Sequence, residues 1–178
     1  MSLMDAVKAQ FGRPSGLLGP IVGKAMASRP SNIERSRWTI SLLGIGSGDR
    51  VLEIGFGPGV AIDMISEIAT EGVVVGLDHS EIMVRQASRR NADAIREGRV
   101  ELRVGTVSEL PDLGEPFDKV LAITRMPRSQ GATNDAALES GKRNVAFLER
   151  AGFSDVRLET KHMKPVAVTC ALGVKSGD

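Results

Sequence analysis

The chain has 178 residues and a formal net charge of +1, with 42% hydrophobic and 25% charged residues. This length predicts a single domain with one sizeable core, and the proportions are ordinary for a globular protein. The near-neutral charge and the 3% of aromatic residues argue against nucleic acid as a partner. One cysteine and two separated histidines exclude a disulfide framework and a cysteine–histidine zinc cluster, so no metal is expected.

Membrane-spanning segments are not expected, because no apolar stretch of the sequence is long enough to cross a bilayer. The apolar piece at residues 16–23 is interrupted by glycine and proline and follows Asp5, so it does not fit a signal peptide. Together with the single cysteine, Cys170, these features predict a cytoplasmic protein.

Hydrophobic periodicity predicts that helices and strands alternate along the chain. Residues 1–30 form a predicted N-terminal arm, and residues 31–178 form an α/β core within the single domain. Ser31 or Asn32 is the predicted cap of the first core helix, in which Trp38 either packs into the core or walls a ligand site. Helices are predicted at about 31–43, 60–70, 80–97 and 134–150, and strands at about 50–54, 73–77, 100–104, 117–123, 156–161 and 166–172.

The stretch Val51–Gly59 joins an apolar strand to a turn that contains three alternating glycines, and a helical pattern begins at Val60. Glycines allow a sharp bend and a close approach of a ligand to the main chain, and the N–H groups at a helix start favour its negative end. A dinucleotide fingerprint needs a glycine where Val60 stands, so the spacing argues against a nicotinamide-dependent oxidoreductase. The turn is therefore predicted to bind another kind of ligand.

Two carboxylates mark the strand ends beside this turn. Glu53 lies on the first strand, where it favours a cationic group, although it could instead pair with the start of the following helix. Asp78 closes the second strand, where its two oxygens can accept both hydroxyls of a ribose. The residues alone thus predict a nucleoside with a zwitterionic tail and no phosphate.

The segments Glu53–Gly59 and Gly76–Met83 resemble the first motifs of class I S-adenosylmethionine (SAM)-dependent methyltransferases, in the small-molecule branch of ubiquinone and menaquinone biosynthesis enzymes. The resemblance implies a Rossmann-like, doubly wound fold with SAM as the cofactor. It also implies an arm that either covers the cofactor as a lid or packs without touching it. The cofactor-binding residues that it implies are Glu53, Gly55, Phe56, Gly57, Gly59, Asp78, His79, Ser80, Met83, Thr106 and Val107.

The sequence departs from the family's pattern in two places. Thr106 stands where an aspartate usually holds the adenine, and a hydroxyl accepts that hydrogen bond more weakly. After Ile123 about forty residues of the pattern are missing, including the right-handed crossover after the fourth strand. We therefore expect a mostly parallel sheet with an antiparallel C-terminal edge pair and about six strands instead of seven. We hypothesise that a partner subunit covers the open flank, in a homodimer.

The expected chemistry needs few dedicated groups. Methyl transfer from a sulfonium depends on alignment in a dry pocket more than on a base, and the sequence identifies no catalytic residue. The leading hypothesis is methyl transfer to a small-molecule acceptor by in-line displacement. The alternative is a protein of methyltransferase fold that binds the cofactor with impaired or no catalysis, because the region after strand four is shortened.

Overall fold

The computed structural model describes residues 30–106, 111–123, 133–163 and 167–174. Most of the predicted arm, Val107 and the segment that follows Ile123 lie outside these described residues. The helices are α1 Pro30–Leu43, α2 Val60–Ser66, α3 Glu81–Arg90, α4 Ala92–Arg96 and α5 Asn134–Arg150, and the strands are β1 Arg50–Ile54, β2 Val73–Asp78, β3 Val100–Val104, β4 Lys119–Leu121, β5 Ser154–Lys161 and β6 Val168–Val174.

The chain divides into two compact units, Met1–Thr124 and Arg125–Asp178. The first is built on a four-stranded parallel sheet in the order β3-β2-β1-β4. The central strands β1 and β2 are buried along most of their length, which explains why they are continuous apolar runs. Because β1 lies between β2 and β4, the strand order reverses beside it. Parallel α/β sheets bind their ligands at the carboxyl ends of the strands next to such a point.

Helices α1 to α4 contribute to the larger of two cores in this unit. Alternate residues of a strand point to opposite faces of a sheet, so Val51 and Val74 belong to one core whereas Leu52 and Val75 belong to the other. The larger cluster contains Ile40, Val51, Phe56, Ala61, Ile62, Ile65, Ala69, Val74, Ala87, Ala94, Val100 and Leu121. The smaller cluster contains Leu52, Val75, Leu77 and Leu113.

Two predicted helices differ from the observed ones. The helix predicted at 60–70 ends at Ser66, whose hydroxyl donates a hydrogen bond to the carbonyl of Asp63 (2.9 Å) at the helix end. The helix predicted at 80–97 is wrong as a single element, because the backbone leaves the helical conformation at Asn91 (φ −100°, ψ 24°) and α4 begins after it.

The fourth strand is also shorter than the predicted 117–123, since only Lys119–Leu121 pairs with β1. Phe117 lies before the strand, and its ring lies under the Arg50 guanidinium, whose Cζ is 4.8 Å from the ring centroid. Helix α1 begins at Pro30, a residue that favours the first helical position, so Ser31 and Asn32 lie inside the helix and the prediction that one of them caps it is wrong. Strands β1 and β3 have the predicted bounds.

The second unit consists of α5 and an antiparallel pair, β5 and β6, which form a two-stranded sheet separate from the four parallel strands. Helix α5 has the predicted bounds, and the Thr133 side chain caps it by accepting a hydrogen bond from the Ala136 N–H. Gly141 allows the helix to pack closely on the pair: a Cβ at this position would lie 2.7 Å from Leu158 Cδ1. The α/β class, with a mostly parallel sheet and a C-terminal antiparallel pair, is confirmed.

Candidate functional site

The glycine turn lies at the carboxyl end of β1, at the point where the strand order reverses. Gly55, Gly57 and Gly59 all have positive φ angles, of 71°, 56° and 75°. Such angles strain residues that carry a Cβ, which is why this turn needs glycine at alternate positions. The Gly55 N–H donates a hydrogen bond to the Leu77 carbonyl (2.7 Å), and the Gly59 N–H to the Phe56 carbonyl (3.1 Å), so the turn is tight and tied to β2.

The three glycines serve two different purposes. A Cβ at Gly55 or Gly57 would meet no atom of the described residues within 4 Å, so this part of the structure leaves open space beside the main chain there. A Cβ at Gly59 would lie 2.6 Å from Ala87 Cβ and 2.8 Å from Asn91 Nδ2. Gly55 and Gly57 therefore leave room for a ligand, whereas Gly59 lets the turn pack onto α3.

A cavity of about 90 Å³ opens beside the turn. It is smaller than the roughly 300–1,000 Å³ of sites that enclose a drug-sized ligand. A cavity of this size can enclose only part of a larger ligand. The lining residues are Asn32, Arg35, Ser36, Glu53, Gly55, Phe56, Gly57, Pro58, Val60, Ala61 and Ile123.

Helix α1 supplies one wall of the cavity, as the sequence allowed, but not through Trp38, which does not line it; the lining residues of this helix were not predicted. Asn32, Arg35 and Ser36 are spaced i, i+3, i+4 and so share one face of the helix. The Arg35 guanidinium donates a hydrogen bond from Nη2 to Asn32 Oδ1 (2.6 Å). The sequence contains one signal for this wall: three polar residues at helical spacing interrupt the apolar pattern that is expected of a helix packed on a core.

Glu53 places a buried carboxyl in the wall of the cavity, with only 2% of the residue exposed. The Ile62 backbone at the start of α2 donates a hydrogen bond to this carboxyl, while Oε2 has no hydrogen-bond partner among the described residues. Burial, together with the negative charge of Asp78, raises the pKa of Glu53 to about 8. In the ligand-free site this carboxyl is therefore mostly protonated at neutral pH.

Asp78 holds the turn in place. Its Oδ2 accepts a hydrogen bond from the Gly57 N–H and its Oδ1 accepts one from the Ser80 N–H, both at 2.8 Å. The residue is only 4% exposed, and it does not line the cavity. His79 lies beside it, with Nδ1 3.6 Å from Asp78 Oδ1 and 47% of its side chain exposed.

Other residues of the predicted site have structural roles in the described part of the chain. Ser80 is the N-cap of α3 and accepts a hydrogen bond from the Met83 N–H (3.5 Å). Met83 is buried, and the Phe56 ring packs into the larger core. Phe56 can thus offer a ligand its backbone but not its ring. Thr106 is exposed beyond the end of β3. Val107 lies outside the described residues.

The structure thus brings Glu53, Gly55, Phe56 and Gly57 together around one cavity, and ties Asp78 to the same turn. No group of three or more histidine, cysteine or acidic side chains that could hold a metal occurs in the described residues. Within the same residues no helix is long and apolar enough to cross a membrane. A parallel sheet of this order, with a glycine turn after β1 and an acid ending β2, is the Rossmann-like arrangement of proteins that bind a nucleoside-containing cofactor, a class that includes the SAM-dependent methyltransferases.

Comparison with known proteins agrees with this class. The family described as "Methyltransferase domain" matches residues 51–146, which run from β1 into α5. The chain therefore belongs to the methyltransferase domain family, and it is a SAM-dependent methyltransferase by family and fold.

Two curated relatives illustrate the similarity. The chain is 28% identical to an uncharacterized methyltransferase, YdaC, of Bacillus subtilis (strain 168), over 87% of this chain and 98% of the relative. It is 37% identical to a ubiquinone biosynthesis O-methyltransferase of Azorhizobium caulinodans, over 67% of this chain and 47% of that enzyme. The Bacillus alignment has 183 positions although it takes in only 87% of the 178 residues, so that relative carries residues without a counterpart here.

Among solved structures, a SAM-dependent methyltransferase from Aquifex aeolicus matches with a TM-score of 0.63 at 16% identity. The match covers 88% of this chain and 98% of the Aquifex chain. At this identity the likeness concerns the fold alone, and the fold extends over nearly the whole of the solved chain.

Proposed function

We propose that the cavity beside the glycine turn holds the methionine end of SAM, and that the protein transfers the SAM methyl group to a small-molecule acceptor. The proposal rests on one observation. The Glu53 carboxyl is buried in the cavity wall, and its Oε2 has no hydrogen-bond partner among the described residues. An unsatisfied buried acceptor is costly, and an ammonium group supplies both the missing donors and a compensating charge.

The remaining lining residues complement the rest of a zwitterionic tail. Arg35 lines the same cavity and would supply a cation for the carboxylate, and the bare main chain at Gly55 and Gly57 allows close approach. Asp78 is proposed to accept the ribose hydroxyls; each of its oxygens accepts one N–H and retains a second lone pair. His79, Ser80 and Met83 would lie alongside, and Thr106 with Val107 would flank the adenine.

SAM supplies a positively charged sulfonium whose methyl group is already activated for displacement. The protein's own residues bind the tail, orient the reacting centre and keep water out, and no side chain is assigned as a base. A small-molecule acceptor is supported by the ubiquinone biosynthesis O-methyltransferase. Because the chain spans under half of that enzyme, its acceptor is not carried over.

Calorimetry with S-adenosylhomocysteine, the demethylated product, tests the proposal, and we expect a micromolar Kd. 5′-Methylthioadenosine, which lacks the amino-acid tail, is the matched probe. Glu53→Gln and Arg35→Met are expected to weaken binding of S-adenosylhomocysteine about tenfold and leave 5′-methylthioadenosine unchanged. Asp78→Ala is expected to weaken both ligands at least tenfold, because it removes a ribose acceptor and an anchor of the turn. No binding of S-adenosylhomocysteine to the wild type would refute the proposal.

The second candidate function is cofactor binding with impaired or no catalysis. It is favoured by the short β4 and by the residues that the Bacillus relative carries without a counterpart here. Incubation with methyl-labelled SAM and a panel of phenols, catechols and amines separates the two candidates. Labelled product supports the enzyme, whereas micromolar binding with no product from the whole panel supports the alternative.

Two further expectations from the sequence remain proposals: a cytoplasmic location and a homodimer that covers the flank beyond β4. The dimer is motivated by the position of β4 at the end of the strand order in the described residues. Light scattering at micromolar concentration is expected to give twice the mass of 18.9 kDa. A monomer under these conditions would count against the dimer.

A further inference from the structure

The C-terminal end of α3 lies directly on the glycine turn. Gly59 packs so closely on Ala87 that a Cβ at Gly59 would lie 3.0 Å from Ala87 Cα, a backbone atom that cannot move aside. No residue other than glycine fits this contact without a shift of the helix or the turn. The turn after β1 therefore has a second support, at some distance in sequence from Asp78.

Two side chains at the end of α3 bond to the turn. Arg90 Nε donates a hydrogen bond to the Pro58 carbonyl (3.1 Å), and Asn91 Nδ2 donates one to the Gly59 carbonyl (3.2 Å) and one to the Ala87 carbonyl (2.9 Å). Asn91 is only 3% exposed, and its Oδ1 has no hydrogen-bond partner among the described residues. Burying an amide in this way is costly, so its bonds to the turn and to α3 must offset that cost.

The same segment thus holds three successive residues of the turn. Asp78, before α3, accepts from the Gly57 N–H; Arg90 and Asn91, at the other end of α3, donate to the carbonyls of the next two residues. Three glycines with positive φ leave an untethered turn many alternative conformations, and ordering it costs free energy. A turn already fixed in its binding conformation avoids that cost when the ligand arrives.

We propose that Arg90 and Asn91 are positioning residues for SAM: they hold the glycine turn in the conformation that receives the cofactor. This inference rests on the proposed function of the site. Neither residue lines the cavity, so both act through the turn and not by touching the ligand.

The test compares Arg90→Ala with Arg89→Ala. Both side chains are exposed neighbours on α3, and Arg89 makes no hydrogen bond to the turn in the described part of the chain. We expect Arg90→Ala to raise the Kd for S-adenosylhomocysteine about fivefold and to accelerate amide hydrogen exchange at 55–60 in the ligand-free protein. Arg89→Ala should change neither, although it removes the same charge, and both variants should keep the wild-type urea midpoint.

Two more variants sharpen the comparison. Arg90→Lys retains a donor for the Pro58 carbonyl and is expected to recover most of the affinity lost in Arg90→Ala. Asn91→Asp keeps the shape of the side chain but replaces its two donated hydrogens with a carboxylate facing carbonyls. We expect it to raise the Kd about twentyfold. Should Asn91→Asp fail to fold, the exposed Arg90 variants still decide the question.

The outcomes are distinct. If Arg90→Ala and Arg89→Ala both keep the wild-type Kd and the wild-type exchange rates, the inference is overturned and the proposed function is left intact. An equal loss of affinity in both would also overturn it, because the effect would then be one of net charge. A wild type that binds no S-adenosylhomocysteine would refute the proposed function and, with it, a positioning role toward SAM.

Discussion

Glu53 is an ionisable group in a buried position, and the two properties oppose each other. It lies on the central strand, where it pairs with Gly76 and Leu121, and only 2% of the residue is exposed. Ionisation there is unfavourable, so burial favours the protonated carboxyl. We therefore expect the residue to destabilise the protein at high pH, and in the proposed function it is the group that receives the ammonium of the ligand.

The sign of the effect on stability follows from the raised pKa. The stabilising contribution of the protonated Glu53 is fully present below the ordinary carboxyl pKa of 4.5, and it is lost as the pH rises toward about 8. Glu53→Gln mimics the protonated form at every pH. Urea unfolding of the ligand-free proteins should therefore show similar free energies at pH 5. At pH 8.5 the variant should be more stable by on the order of 3–5 kcal/mol.

When the two unfolding free energies are subtracted, the contributions of all other titrating groups cancel, because the variant and the wild type share those groups. A difference between variant and wild type that stays constant from pH 5 to pH 8.5 would show that Glu53 ionises normally. Saturating S-adenosylhomocysteine should reduce the difference, since in the proposed function its ammonium group favours the ionised form of Glu53.

The glycines of the turn give a second prediction at this scale. Gly57→Ala places a Cβ in open space at a positive φ, so it should cost about 1–2 kcal/mol of unfolding free energy. It should also weaken S-adenosylhomocysteine at least tenfold, because the methyl group occupies the ligand's space. Gly59→Ala forces the turn off α3 and should cost about 3 kcal/mol or more. Equal losses of stability in the two variants would contradict this division of roles.

Motif residues could be predicted from the sequence, and their partners across the fold could not. The spacing of glycines and the acids Glu53 and Asp78 fixed the position of the turn, since such patterns are local. The polar face of α1 and the bonds from Arg90 and Asn91 depend on which helix packs beside the turn. That is a tertiary fact, and a single sequence carries only a weak trace of it.

Among the helices and strands, the predicted bounds were correct where turn or capping residues delimit the apolar pattern. Strands β1 and β3 and helix α5 have the predicted bounds, because turns or a capping threonine delimit them. The break between α3 and α4 was missed because the apolar periodicity continues through it. It exists because the Asn91 side chain turns to bond to the Ala87 and Gly59 carbonyls.

In helix α5, we expect close packing at one glycine to outweigh the higher helix propensity of alanine. Alanine normally stabilises a helix interior by roughly 1 kcal/mol relative to glycine. At Gly141, however, a Cβ would lie 2.7 Å from Leu158 Cδ1 and 2.9 Å from Thr169 Cβ. Thr169 is held by the hydrogen bond that its hydroxyl donates to the Ala137 carbonyl (3.1 Å), so it cannot easily move aside. Gly141→Ala should therefore destabilise the protein by about 1–2 kcal/mol in urea unfolding.

Asn144→Ala is the matched control, because Asn144 is exposed on the same helix. Its free energy of unfolding should stay within about 0.5 kcal/mol of the wild type. A stabilised Gly141→Ala protein would show that α5 does not pack on the β5–β6 pair as described.

At the level of the whole molecule, the family match extends across the boundary between the two units. It runs from residue 51 to residue 146, whereas the units meet between Thr124 and Arg125. The second unit is short, and its buried residues in the described part of the chain are only Gly141, Ala167 and Leu172. A unit with so small a core is not expected to be stable alone. The single domain over 1–178 therefore remains our prediction, and it requires that the two units unfold together.

The sequence supplies one probe for each unit. The only tryptophan, Trp38, is in α1 of the first unit, and the only cysteine, Cys170, is in β6 of the second. Cys170 is half-buried, and burial raises the pKa of its thiol, so the folded protein should react slowly with a thiol reagent. Trp38 fluorescence and pulsed labelling of Cys170 should then change at the same urea concentration, within error. Cys170 labelling that precedes the fluorescence change would establish two independently unfolding domains, because the second unit would then open while the sheet of the first remains folded.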